Sequence, residues 1–180
     1  VKAVLNHYFG HSLAEVVKAG GSISKLLGDG FLAYFPIDKA TSALECAQEI
    51  IQGQKRIRES SSSPFESLCY CGVGLSAGPV LKGNTGSTAK MDYTLLGDVV
   101  NSASRLESYT REVGYTIIFD HRFKQYLSET NHYIPLGSLI PKGKSRELNI
   151  FTLDDPMVSF DKTPEEISNA IRSINRHHSK

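Results

Sequence analysis

The sequence predicts an α/β sandwich built as one domain, and three observations carry that reading. Its 180 residues suffice for one buried core and fall within the size range of a single domain. Short runs with apolar residues at alternate positions interchange with longer segments whose apolar residues recur at helical spacing. Clusters of glycine, proline and serine punctuate them, as connections between packed layers require.

From Val1 to Ala19, residues Val1, Val4, Leu5, Tyr8, Phe9, Leu13, Val16 and Val17 follow a helical period, and Gly20-Gly21 supplies a left-handed residue to end it. No Ser, Thr, Asp or Asn precedes the first apolar residue as a cap, so the chain is expected to open inside a helix with further sequence upstream. The run SISKLLGDGFLAYF reads as a β-hairpin with Asp29 at the tip of a Gly28-Asp29-Gly30 turn. Asp38 to Glu59 reads as an amphipathic helix burying Ala43, Leu44, Ala47, Ile50 and Ile51, with Ser60-Ser61-Ser62-Ser63-Pro64 as a connector.

LCYCGVGLSAGPVLKGN reads as strand, turn, strand; MDYTLLG is a further strand, and Asp98 is placed to cap a helix reaching about Glu112. TIIF predicts a buried strand, followed by a helix through Leu127. YIPLGSLIPKGKSRELNIFTL predicts a closing hairpin whose loop carries Lys142 and Lys144. In TPEEISNAIRSINRHH, Thr163 as cap, Pro164 at the first helical position and two acids in the first turn predict a short final helix.

Lys plus Arg number 20 and Asp plus Glu 19, so no basic field marks nucleic acid or an anionic membrane as a partner. The cysteines Cys46, Cys69 and Cys71 are odd in number and lack the spacing of a redox or zinc motif. They read as small apolar residues, Cys69 and Cys71 on one face of a strand, in a reducing compartment. No stretch approaches the roughly 18 apolar residues of a membrane span and no signal peptide opens the chain, which predicts a soluble, cytoplasmic domain.

Asp29 is a carboxylate at the apex of a glycine-flanked turn, free to reach a hard cation such as Mg²⁺, although Gly-Asp-Gly is also ordinary turn chemistry. Asn101 and Arg105, four residues apart, project from one helix face, an amide beside a guanidinium whose planar fork suits phosphate. The alternative is a solvated face with Arg105 paired to Glu107 or Asp98. His7 and His11, also four apart, and His177-His178 have no third ligand in view and read as surface or packing residues.

Together, LLGDGFLAYF and GNTGSTAKMDYTLLGDVVNSASRLES resemble the class III nucleotidyl cyclases, a likeness that runs from Val1 to roughly Asp155. The stretch GVGLSAGPVLKGNTGSTAKMDYTLLGD is most similar to adenylate cyclases regulated by blue-light flavin (BLUF) sensors. The resemblance implies a ferredoxin-like βαββαβ core, with helices on a mainly antiparallel sheet whose N-terminal strand lies upstream of Val1. It implies a catalytic domain over 1–155 and a C-terminal extension, 156–180, holding a short helix. The implied reaction converts ATP to 3′,5′-cyclic AMP and pyrophosphate with two Mg²⁺ ions per site, Mn²⁺ being the alternative ion, and with no flavin in this segment.

Carried over residue by residue, Asp29 matches one metal-binding aspartate. The other is expected in a strand upstream of Val1, so residues 1–180 alone are expected to have little activity. Lys25 and Asp92 match the pair that reads the purine, the lysine being replaced by glutamate in cyclases that use GTP. Thr94 matches a residue of the base pocket and equally reads as an ordinary strand threonine. Asn101 and Arg105 match the pair that orients the ribose and stabilises charge at the α-phosphate, and Lys142 matches the triphosphate lysine, with Pro141 in place of the usual aliphatic neighbour. The resemblance further implies a homodimer whose sites lie between protomers, and a sensor domain upstream, with a flavin photoreceptor as the expected kind. Two other readings stay open: a catalytically silent module that binds nucleotide or dimerises, and a guanylate cyclase, which Lys25 and Asp92 disfavour.

Overall fold

The computed structural model describes residues 2–60, 70–87, 90–129, 132–140, 147–159 and 162–178. In chain order the elements are helix α1 (Lys2–Lys18), strands β1 (Ser22–Leu27) and β2 (Gly30–Tyr34), helix α2 (Ala40–Ser60), strands β3 (Val73–Leu75), β4 (Leu81–Ser87) and β5 (Lys90–Leu96), and helix α3 (Asp98–Val113). Strand β6 (Ile117–Asp120), helix α4 (His121–Lys124), strands β7 (Tyr133–Leu139) and β8 (Leu148–Leu153) and helix α5 (Pro164–His178) complete the chain. They fall into two compact units, Val1–Cys71 with Pro79–Gly97, and Gly72–Gly78 with Asp98–Lys180.

In the first unit α1 packs on α2 and β1. The five residues expected inward on α2 are all buried, and Ala40 and Cys46 join them. Pro36 precedes a short 3₁₀ turn, Ile37–Lys39, so α2 begins at Ala40 and not at Asp38. Ser60 continues the helix where a connector was expected, its hydroxyl donating to the Arg56 carbonyl at 2.8 Å, which lets a terminal serine stay helical. Ser61 to Pro64 and Cys69 lie outside the described residues.

Strands β1 and β2 form the expected antiparallel hairpin, with Leu27 opposite Gly30. The loop is therefore Gly28-Asp29, and Gly28, at φ 69°, supplies the left-handed residue that a two-residue turn demands. β4 and β5 form a second antiparallel hairpin, from Leu81 opposite Leu96 to Ser87 opposite Lys90. β1 lies against β5.

The second unit holds a four-stranded sheet in the order β3-β6-β8-β7. β3 runs parallel to β6, and the other two pairings are antiparallel. The helices and antiparallel-rich strands expected of a class III cyclase are thus present, and the two strands expected within 68–84 are β3 and β4, which belong to different sheets. β3 joins β6 across the crossover that α3 supplies, as a parallel pair requires. Cys71 is buried, as predicted, but precedes the strand and hydrogen-bonds Tyr8 Oη through its Sγ at 3.3 Å.

Ile117, Ile118, Phe119 and Ile150 are fully buried, which accounts for the uninterrupted apolar run of β6. The Phe119 ring meets those of Phe123, Tyr133 and Phe151 at centroid distances of 5.8, 5.5 and 6.2 Å. α3 lies directly on β3 because residue 74 is glycine; a β-carbon there would meet the Ala103 carbonyl and the Glu107 amide. α4 is a single turn ending at Lys124, not the predicted helix through Leu127. The backbone beyond it tightens into bonds from Tyr126 N–H to Phe123 and from Leu127 N–H to Lys124. α5 packs on β7 and α3 and buries Ile167, Ile171 and Ile174. No helix among the described residues is long and apolar enough to cross a membrane.

Candidate active site

Four of the residues singled out from the sequence lie in the first unit. Asp29 occupies the two-residue turn between β1 and β2 and is exposed, and Lys25 is exposed on β1 opposite Leu32. On β5, Asp92 stands opposite Thr85 and Thr94 opposite Gly83. Because β1 lies against β5, the strand that carries Lys25 and the strand that carries Asp92 and Thr94 are neighbours.

Asn101 and Arg105 belong to the second unit, on α3. The helix buries Val99, Ser102, Leu106, Thr110 and Val113, leaving Asn101 exposed and Arg105 partly so. Buried hydroxyls on this face are satisfied within the helix: Ser102 donates to the Asp98 carbonyl at 3.0 Å and Thr110 to the Glu107 carbonyl at 2.6 Å. Burial raises the phenol pKa of Tyr109, one turn after Arg105, and the Arg105 charge opposes the rise. The alternative pairing of Arg105 with Asp98 does not form; the Asp98 carboxylate accepts from Arg122 Nη1 at 3.5 Å.

Arg122 belongs to a cluster that sequence reasoning missed. The Asp120 side chain is 0 % exposed, and its Oδ2 accepts from Arg122 Nε at 3.0 Å, Arg122 Nη2 at 2.7 Å and the Ser76 hydroxyl at 2.5 Å. Its Oδ1 accepts the Phe123 N–H at 2.9 Å, capping α4, while Arg122 Nη2 also donates to Ser76 Oγ at 3.1 Å. An aspartate directly before a helical turn could have been read as a cap. The partners at positions 76 and 98 leave no local signal.

Asp29 presents the hard oxygen donor that Mg²⁺ takes, often from only one or two carboxylates with substrate phosphates completing the shell. It fits as one such contribution. Among the described residues no three His, Cys, Asp or Glu side chains gather into a metal-holding group. His11 Nε2 lies 3.2 Å from the Glu49 carbonyl oxygen, a packing contact, and His7 and His177 are exposed. Lys142 and its neighbours Pro141 and Lys144 lie outside the described residues.

The family described as the adenylate and guanylate cyclase catalytic domain matches residues 5–153, and the chain belongs to it as a class III cyclase domain. Photoactivated adenylate cyclase subunit beta of Euglena longa is 33% identical over 127 residues, which are 69% of this chain and 15% of that protein. Among solved structures, a bacterial light-regulated adenylyl cyclase superimposes with a TM-score of 0.81 at 31% identity, covering 97% of this chain and 50% of that one. The adenylyl cyclase CyaB from P. aeruginosa gives 0.73 at 26% identity, over 86% of this chain and 82% of its own. The chain therefore spans a small part of the Euglena protein and half of the bacterial one.

Proposed function

We propose that this domain forms 3′,5′-cyclic AMP and pyrophosphate from ATP, at sites shared between two copies of the chain. The observation that carries the reading is the adjacency of β1, bearing Lys25, and β5, bearing Asp92, within a member of the cyclase family. A lysine ammonium donates to adenine N1 and a carboxylate accepts from the 6-amino group. Guanine reverses both edges, and polar groups that a bound base covers and leaves unpaired discriminate by several orders of magnitude. Thr94 lines the base pocket. The relatives named above as adenylate or adenylyl cyclases support the same substrate.

In the reaction the ribose 3′-oxygen bonds to the α-phosphorus, the bond from that phosphorus to pyrophosphate breaks, and the hydroxyl proton passes to water. The nucleophile is part of the substrate, so the protein's work is orientation and charge. Asn101 orients the ribose; Arg105 lays its planar fork on the oxygens where charge builds. Lys142 holds the outer phosphates as a point charge. Mg²⁺ or Mn²⁺ held by Asp29 with the phosphate oxygens would neutralise the triphosphate and lower the pKa of the attacking hydroxyl.

Residues 1–155 form the catalytic domain in this reading, and 156–180 an appended segment. A sensor domain, a flavin photoreceptor by analogy with the light-regulated relatives, governs the whole protein in the cytoplasm. In the full-length protein Asp29→Ala and Asn101→Ala should each abolish turnover without altering circular dichroism. In this reading each site takes Asp29 from one copy and Asn101 from the other, so the two variants mixed in equal amounts should recover about a quarter of the parent rate: half the dimers are mixed and each of those keeps one intact site. No recovery would refute the shared site, full activity of both variants the site itself, and equal use of GTP the adenine reading.

A further inference from the structure

We infer that Arg122 is a positioning residue for the cyclase reaction: its guanidinium joins the buried Asp120 carboxylate to Asp98 and so fixes the face of α3 that carries Asn101 and Arg105. The inference rests on the site proposed above.

The buried carboxylate of Asp120 must have its charge met by protein groups, since no water reaches it. Nε and Nη2 of Arg122 supply two of its donors, at 3.0 and 2.7 Å. A guanidinium is planar and rigid, so two nitrogens fastened to one carboxylate also dictate where the third must be. That third nitrogen, Nη1, meets Asp98 Oδ2 at 3.5 Å. Asp98, Asn101 and Arg105 are spaced three and four residues apart, which gives them one stripe of the helix.

Contact through Gly74 already presses α3 against β3. What remains is sliding or rotation of the helix along the strand, and a tether at its first turn resists both. Ser76, immediately beyond β3, bonds both Asp120 and Arg122, so strand, helix and the β6–α4 junction are tied at one point. The outer pair is partly in solvent, with side-chain exposures of 27% for Arg122 and 51% for Asp98. An ion pair of that kind contributes little to stability, so its loss reads on geometry and not on folding.

The test uses the full-length protein with Arg122→Lys, Asp98→Ala, Asp98→Asn and, as the reference for the site, Arg105→Ala. Lysine still neutralises Asp120, but a single ammonium cannot also span to Asp98; asparagine at 98 keeps an acceptor for Nη1. Arg122→Lys and Asp98→Ala should each lower kcat by roughly two- to fivefold, the bound set by a partly exposed ion pair, which can bias the position of the helix by no more than its own interaction strength. KM for ATP should stay within about twofold and the melting temperature near that of the parent, with Asp98→Asn recovering most of the loss. The double variant should be no slower than the worse single one, because both remove the same contact. If Asp98→Ala keeps the parent kcat while Arg105→Ala is inactive, the positioning role is wrong and the site stands, whatever Arg122→Lys does to folding. If Arg105→Ala is also active, the site reading itself has failed.

Discussion

Burial on α2 pushes the Cys46 thiol up from 9.0 to about 11, and the carboxylates of Glu15 and Glu49 add to the rise. Only the thiolate attacks alkylating agents, so in the folded chain at about pH 7.5 Cys46 should resist iodoacetamide and label after denaturation. Peptide mass mapping reads the outcome, and labelling at the rate of an open thiol would contradict it. The folded-state value lies above the unfolded one, so the stabilising contribution is intact below about pH 9 and is lost as pH rises through about 11. The candidate site was legible to the extent that its residues sit in short contiguous motifs: Asp29 in a glycine turn, Asn101 and Arg105 one helical turn apart. Arg122 was not legible, because its meaning comes from Ser76, Asp98 and Asp120, gathered from three separate stretches of chain.

Helix α5 starts with a reciprocal cap. The Thr163 N–H and hydroxyl donate to Glu166 Oε2 at 2.7 and 2.9 Å, and the Glu166 N–H donates back to Thr163 Oγ1 at 3.2 Å. The backbone bond first, then the hydroxyl, holds the Glu166 carboxyl below its ordinary value. A depressed carboxylate stabilises the fold above its unfolded pKa, and the contribution disappears as pH falls through the folded value. Thr163→Ala should remove a cap worth on the order of 1 kcal/mol, a Tm shift of about 2–4 °C for a chain of this size. Melting curves across the acid range should also show a flatter pH dependence than the parent; an unchanged slope would count against the cap. Such a helix start is readable because cap chemistry is local. The early end of α4 is not, since Tyr126 and Leu127 keep apolar periodicity while their backbone bonds shorten to i→i+3.

The second unit's interior is organised around Phe119, with three aromatic rings about it and Ile117, Ile118 and Ile150 completing the buried layer. Phe119→Ala should lose about 3–5 kcal/mol. That is a large fraction of what holds a domain together, so urea and thermal melts should fall steeply and turnover should vanish with the fold. Asn101→Ala, by contrast, should leave the melt unchanged. The buried strand was plain in TIIF, but its parallel neighbour was not: pairing of β3 with β6 spans an inserted hairpin and a helix, and no periodicity within Val73–Leu75 points to it. That same pairing gives Gly74 an unusual standing. Elsewhere in the interior, Leu, Ile and Val can trade places with modest repacking and the fold survives. At position 74 one added methyl would run into the backbone of α3 at Ala103 and Glu107, so the exchange of side chains that the apolar core tolerates is closed at this residue.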